Sequence, residues 1–353
     1  MYDLPTLTAA GVTLRAATPS DEPWLLRLAS EPDHEGTDDG DRWVIEAPAY
    51  ASGRPVGRLS LRDLEDGVCR LQAFVVPQAR NLGVATTATG LVVDWVLGSG
   101  RAQTLTCRTR AGNTAAWRVA WKNGFAFEST SRRSLRYAGA LHDSWHAAIV
   151  TGDTREPKTR WLSPVPLEGP GVVLRGLTAA DEAGFLETVN DPVSHHWLAG
   201  VAMPRTPEEF RRMQQRSLLP SSLGTSVHWV LAHPETDAYL GSIHLFGMGS
   251  RDHRSAEVGY RTHPAARGRG VLRTALRAVI GHAFAPADEG GLGLERLSLG
   301  AGDGNAASQA VARSCGFVQT GRDRRSYELA DGSVVDLVRF DLLASEPADS
   351  GAG

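Results

Sequence analysis

Two stretches, Pro77-Gln78-Ala79-Arg80-Asn81-Leu82-Gly83-Val84 and Pro264-Ala265-Ala266-Arg267-Gly268-Arg269-Gly270-Val271, share the pattern P-x-A-R-x-x-G-V. Each follows a strand-like run and opens a helix-like run. The first backbone N–H groups of a helix have no intrahelical acceptor and can face phosphate oxygens. The spacing is not a dinucleotide fingerprint, because Gly268 and Gly270 would need a third glycine where Arg273 stands. No Gly-Lys dipeptide occurs, which excludes a P-loop. A chain that builds this turn twice reads as a duplicated binder of a phosphate-bearing cofactor.

The repeat continues beyond the turn. Asn113, Ala115, Val119, Gly124 and Phe125 return at identical spacing as Asn305, Ala307, Val311, Gly316 and Phe317. The turn with its trailing N-x-A-x(8)-G-F resembles the GNAT acetyltransferase superfamily. Arg80 to Ala85 fit the R-x-x-G-x-[small] loop fully, and Arg267 to Leu272 fit except at the larger Leu272. The second half most resembles the branch that acetylates N-termini of ribosomal proteins, through Glu257-Val258-Gly259-Tyr260-Arg261-Thr262-His263-Pro264 and Asn305-Ala306-Ala307-Ser308.

The resemblance implies two tandem α/β domains, each a central mixed, mostly antiparallel sheet flanked by helices, with acetyl-CoA as cofactor and a primary amine as acceptor. In that family the strand before the loop splays from its neighbour and binds the pantetheine arm through its backbone. This implies cofactor contacts at Val75, Val76, Arg80, Asn81, Leu82, Gly83, Val84, Ala85 and Asn113 in the first half. In the second it implies them at Tyr260, Arg261, Thr262, Arg267, Gly268, Arg269, Gly270, Val271, Leu272 and Asn305.

Acetyl transfer to an amine needs a neutral amine, a polarised thioester carbonyl and a proton for the departing thiolate. By the resemblance, Glu257, seven residues before Pro264, draws the proton from the amine; the first half has Arg70 there, which cannot act as a base. The family's thiolate-protonating tyrosine position holds Ala120 and Ala312. The ribosomal-protein branch uses a serine instead, which gives Ser308 in the second half and Ala116 in the first. The second half is therefore expected to be catalytic, and the first structural, cofactor-binding or vestigial. Bland readings stay open: Glu257 as an ion-pair partner on the sheet, Ser308 as a solvated helix residue, Asn113 and Asn305 as caps only, Arg80 and Arg267 as surface charges. A non-catalytic acyl-CoA sensor is the rival function. His142 and His146 lie on a strand-like run without a ligand cluster, so no metal is expected. His195-His196-Trp197 falls where the family lines its acceptor cleft.

The elements that must position these groups repeat as well. Gly11 to Arg15 return as Gly171 to Arg175, a short alternating strand. Thr18 and Thr178 suit helix N-caps, each with an aspartate three residues on. Long helices are expected near Val84–Leu97 and Val271–Phe284, each followed by a strand and a short helix bracketed by asparagine and glycine. Four prolines between Thr151 and Pro170 favour an extended linker. The expected domains are 1–150 and 171–344, with the linker 151–170 between them and a disordered tail 345–353. The least repeated segments, 32–51 and 191–223, are the expected acceptor pocket.

At 353 residues the length suits about two domains. A net charge of -3 offers no footprint for nucleic acid or anionic membrane. Three separated cysteines suggest neither a disulfide framework nor a zinc site. No leader-like start and no membrane-length apolar run occur, so the expectation is a cytoplasmic monomer or homodimer acting on a small-molecule or peptide amine.

Overall fold

The computed structural model describes residues 4–29, 40–50, 54–64, 66–198, 203–249 and 254–346. The chain divides into two units, Met1–Thr159 and Arg160–Gly353. The first unit runs β1 (Leu7–Ala9), β2 (Val12–Ala16), α1 (Glu22–Ala29), β3 (Asp41–Glu46), β4 (Pro55–Asp63), β5 (Val68–Val75), α2 (Val84–Gly98), β6 (Thr104–Arg110), α3 (Thr114–Lys122), β7 (Ala126–Tyr137) and β8 (Ala140–Val150). The second runs β9 (Leu167–Gly169), β10 (Val172–Arg175), α4 (Glu182–Asn190), α5 (Pro192–Trp197), α6 (Pro207–Ser222), β11 (Ser226–Ala232), β12 (Tyr239–Phe246), β13 (Ser255–Thr262), α7 (Val271–Phe284), β14 (Arg296–Gly302), α8 (Ala306–Ser314), β15 (Val318–Glu328) and β16 (Val334–Leu343). Each unit holds one eight-stranded mixed sheet, ordered β1-β2-β3-β4-β5-β6-β8-β7 and β9-β10-β11-β12-β13-β14-β16-β15. Neighbours are antiparallel except β5 with β6 and β13 with β14.

Two periodicities build each layer. In β11, Val227, Trp229 and Leu231 alternate onto one face and are buried. Ala275, Leu276, Val279, Ile280 and Ala283 of α7 follow helical spacing onto the same core. Removing one such leucine from water is worth roughly 2 kcal/mol. The other sheet face packs Val230, Ala232 and Tyr239 against Phe185 of α4 and Phe210 of α6.

The expected threonine caps form in both units, each with a carboxylate that also clamps the preceding strand. Thr178 N–H donates to Asp181 Oδ2 at 2.7 Å, and both Asp181 oxygens accept from Arg175 at 2.9 Å. Thr18, Asp21 and Arg15 repeat this at 2.7–2.9 Å. The carboxylate thus ties β10 to the start of α4, and β2 to the start of α1.

The expected linker 151–170 ends early. Leu162 is buried in the second core and its N–H donates to Ser221 O at 2.8 Å. Trp229 Nε1 donates to Val165 O at 2.8 Å, and Leu167–Gly169 pairs with β10 as β1 does with β2. Prolines keep this stretch extended, but an extended chain is also what an edge strand needs. Residues 347–353 of the expected tail lie outside the described residues, as do 32–39, 51 and 199–202 of the expected acceptor segments.

Burial alone would push the Asp181 carboxyl up, but the Arg175 fork and the Thr178 N–H hold it below the usual carboxylate range. A depressed folded pKa stabilises above the unfolded value of ~3.9 and loses that contribution as pH falls below it. Asp181→Asn is expected to cost roughly 3 kcal/mol at pH 7. Urea unfolding at pH 7 and at pH 3 checks this, because the gap to the parent chain should shrink in acid.

Candidate active site

In the second unit, β13 and β14 pair at Ser255↔Arg296, Ala256↔Leu297 and Glu257↔Ser298, and then part. β13 stays with β12 as far as Thr262, and β14 stays with β16 as far as Gly302. In the first unit, β5 and β6 pair from Val68↔Thr104 to Leu71↔Cys107 and part in the same way. Beyond each fork the facing strand edges have no ladder partner, so their backbone groups must find another. That is the splay implied for Leu71–Val76 and Val258–Thr262. One expected donor is lost: the Val76 N–H already donates to Val56 O at 2.9 Å.

At the end of each forked strand the chain makes one 3₁₀ turn, Pro77–Ala79 or Pro264–Ala266. It then takes left-handed backbone at Asn81 (φ 61°) and Gly83 (φ 79°), or at Gly268 (φ 72°) and Gly270 (φ 74°). The first helical bonds close only at Thr87 N–H to Gly83 O (3.0 Å) and Thr274 N–H to Gly270 O (3.1 Å). The N–H groups of Val84 and Ala85, or of Val271 and Leu272, therefore point out of the helix end, beside those of the preceding turn. Left-handed residues in such a turn fan successive N–H groups into an anion-binding concavity. A Cβ added at Gly83, Gly268 or Gly270 would meet nothing within 4 Å, so glycine is required there by φ and not by space. Leu82 and Arg269 are exposed at the loop tips.

The two loop arginines are engaged within the protein. Arg80 Nε donates to Val75 O at 3.1 Å, and its guanidinium lies 5.5 Å from the Phe74 ring. Arg267 bonds Asp191, and its Nη2 donates to Ser194 Oγ at 2.8 Å. Its ion pair pulls the Asp191 carboxyl below the usual range. These bonds hold the loop in shape. Leu272 packs with Val271 against the core beneath α7, so its bulk does not crowd the loop.

The proton-handling candidates stand on either side of β13 at the fork, Glu257 on the face away from α7 and Tyr260 with Ser308 on the face toward it. Glu257 is the last paired residue of β13, with its side chain 37 % exposed; Arg339 Nη1 is 3.9 Å away but is drawn more closely to Asp323 at 2.7 Å. Asn305 caps α8, its Oδ1 accepting the Ser308 N–H at 3.1 Å. Asn113 caps α3 through Ala116 N–H at 3.2 Å. The Ser308 Oγ lies 3.1 Å from the Tyr260 hydroxyl, which is also 3.1 Å from the Ser308 carbonyl. Burial pushes the Tyr260 phenol up to about 12. Sequence reasoning looked for a tyrosine on α8 and found Ala312. The hydroxyl comes from β13 instead, a pairing 48 residues apart in the chain. The first unit has Arg70, Ala73 and Ala116 at the positions of Glu257, Tyr260 and Ser308.

Between β5, β6, α2 and α3 the first unit forms a half-open cavity of about 680 Å³. Val75, Arg80, Asn81, Gly83, Val84, Ala85 and Asn113 line it; Val76 and Leu82 do not. In the second unit Thr262 stands at the end of β13, while Arg261 points to the face opposite Tyr260. The Trp197 carbonyl at the end of α5 accepts from Tyr327, and the Trp197 ring lies over Gly302, so His195-His196-Trp197 closes on the free end of β14. His146 on β8 bonds Ser144 Oγ at 2.8 Å, and among the described residues no cluster of three His, Cys, Asp or Glu could hold a metal ion.

The family model described as acetyltransferase (GNAT) domain matches the chain twice, over residues 20–126 and 172–318. A Bacillus subtilis (strain 168) protein named "Putative ribosomal N-acetyltransferase YdaF" is 34 % identical over 93 residues. That match spans 26 % of this chain and about half, 48 %, of the relative. Among solved structures, Mycobacterium smegmatis RimJ in complex with CoA-disulfide aligns with a TM-score of 0.46 at 20 % identity, covering 52 % of this chain and 90 % of its own. Spermidine N-acetyltransferase from Vibrio cholerae, in complex with CoA and spermine, aligns with a TM-score of 0.42 at 19 % identity, covering 50 % and 97 %.

The left-handed loop generates a contrast between two glycines of the same neighbourhood. Gly270→Ala is expected to destabilise by about 1–2 kcal/mol through φ alone. Gly281→Ala, inside α7 and equally free of neighbours, is expected to stabilise by about 0.5–1 kcal/mol. Urea midpoints of the two variants against the parent chain decide it.

Proposed function

The chain belongs to the GNAT acetyltransferase family, and from that premise we propose that its second half transfers acetyl from acetyl-CoA to a primary amine. The observation that carries the proposal is the fork after Glu257↔Ser298, with a carboxylate on one face of β13 at its base, two paired hydroxyls on the other face and an amide-lined loop at its end.

The loop N–H groups from Gly268 to Leu272 would hold the diphosphate, with no arginine side chain required. The free edge of β13 through Tyr260, Arg261 and Thr262 would hold the pantetheine arm by its backbone. Acetyl-CoA supplies an electrophilic thioester carbonyl and a thiolate leaving group. Glu257, half-exposed and only loosely held by Arg339, takes the proton from the attacking amine, directly or through a water. The Tyr260 and Ser308 hydroxyls, hydrogen-bonded to each other, supply the proton for the thiolate. Attack is direct, in a ternary complex. Cys69 and Cys107 have thiols pushed up to about 12 by burial, and burial likewise raises Cys315, so no cysteine is an activated nucleophile.

The first half keeps the fork, the loop and a cavity of about 680 Å³ but lacks the carboxylate and both hydroxyls. It binds the cofactor without turning it over. The acceptor is a small-molecule or peptide amine. The protein acts as a monomer or homodimer in the cytoplasm, and no described helix is long and apolar enough to cross a membrane.

Loss of a positioned acid or base removes about 10²–10⁴ in rate. Glu257→Gln, and Tyr260→Phe combined with Ser308→Ala, are each expected to lower kcat by that order while calorimetry still detects coenzyme A binding. Thiol release with a panel of amines measures this. Undiminished turnover in both variants would refute the assignment.

A further inference from the structure

Glu257, Gly259 and Arg261 share the face of β13 away from α7. The register sets them beside Phe246, His244 and Ser242 of β12, and His244 beside His228 of β11. Gly259 is needed here, since a Cβ would come within 2.5 Å of the His244 ring. The imidazole therefore lies across the strand, between Glu257 and Arg261.

Arg261 is an anomaly in this row. Its guanidinium carbon sits 5.1 Å from the Phe185 ring, and Nη1 reaches only the Met203 sulfur at 3.6 Å. Its Nε is buried without a hydrogen-bond partner among the described residues, as are His244 Nδ1 and Ser242 Oγ. Nearby acids are engaged elsewhere: Asp181 with Arg175, Glu187 with His263, Asp191 with Arg267. Burial, and then the Arg261 charge, push His228 down to about 3 and His244 down to about 4, so both imidazoles are neutral near pH 7. As whole residues Arg261, His228, His244 and Gly259 are each partly exposed. A buried guanidinium facing a thioether is costly unless an anion completes it. The first half places its arginine on the other strand of the pair and has Ser60 and Arg42 where the histidines stand. Arg58 of β4 stands opposite Phe74 of β5, where Ser242 stands opposite Arg261, and Arg58 is fully buried.

We propose that Arg261, flanked by His228 and His244, is the acceptor subsite, and that the acceptor is an amino-carboxylic acid whose carboxylate Arg261 binds. This rests on the acetyl-transfer reading. Four residues of strand separate Glu257 from Arg261, about 13 Å. A carboxylate on the guanidinium therefore places an amine several atoms away, toward the fork and past the outer side of the His244 ring that covers Gly259. The guanidinium fork matches a carboxylate, and exchanging the thioether for it replaces a weak acceptor with charge-assisted bonds. Neutral imidazoles offer further N–H donors. The fixed positive charge repels a polyamine.

The test measures kcat/KM of the intact protein for a series of ω-amino acids, for their carboxamides and for a polyamine, by thiol release. The acids are expected to exceed their amides by roughly 10- to 100-fold. Arg261→Met is expected to collapse that ratio by raising KM for the acids. Its thermal midpoint is expected to stay level or rise, because an unpaired buried charge is gone. Arg261→Lys should keep part of the preference. Equal use of acids and amides by the parent chain overturns the subsite while leaving acetyl transfer intact. An unchanged ratio in Arg261→Met, or a marked fall in its midpoint, overturns it too. Absence of thiol release with every amine overturns the underlying reaction, and the subsite with it.

Discussion

Everything at the site depends on two parallel strands that stop pairing. β13 and β14 share three register positions and then follow different partners, β12 and β16. A strand edge left without a neighbour is normally a liability, because its N–H and C=O groups must be satisfied. Here the fork is held open from both ends: its outer strands stay bound to their sheets, and α7 and α8 pack against the same face. The opening is thus a property of the sheet topology.

That separation between backbone and side-chain work explains how the two halves can diverge. The first unit has the same fork, the same left-handed loop and a helix capped by the same asparagine. Binding a diphosphate and an amide-rich arm asks only for main-chain donors, which survive Arg70, Ala73 and Ala116. The side chains proposed for proton transfer are Glu257, Tyr260 and Ser308, and the first unit lacks all three.

How much of this was legible follows the range of the interactions. The expected helix Val271–Phe284 forms over those residues, because its start is a φ demand at Gly270 and its face is a local 3.6-residue pattern. The caps at Thr178 and Asn305 are likewise local. Strand Leu167–Gly169 was missed because three residues carry no periodicity and their partner lies across a turn. The Thr206-Pro207-Glu208-Glu209 capping box of α6 was readable and went unused. Arg267 with Asp191 and Tyr260 with Ser308 join residues 76 and 48 apart, and no spacing rule reaches that far. The turn of Arg261 away from Tyr260 could have been found, since side chains two apart on a strand share a face and put Arg261 with Glu257.

The same ladder logic shows why the first unit is not one substitution from activity. Across β4 and β5, Arg62 stands directly opposite Arg70, whereas Phe246 stands opposite Glu257. With Arg70→Glu the new carboxylate would face a guanidinium across the ladder, and an opposite charge at that distance lowers a carboxyl pKa and weakens it as a base. Beside Glu257 the cross-strand neighbour is the aromatic Phe246, and Arg339, 3.9 Å away, is held more closely by Asp323 at 2.7 Å. The proposed base therefore draws on an apolar partner on the neighbouring strand as well as on the carboxylate itself, and the second half has both.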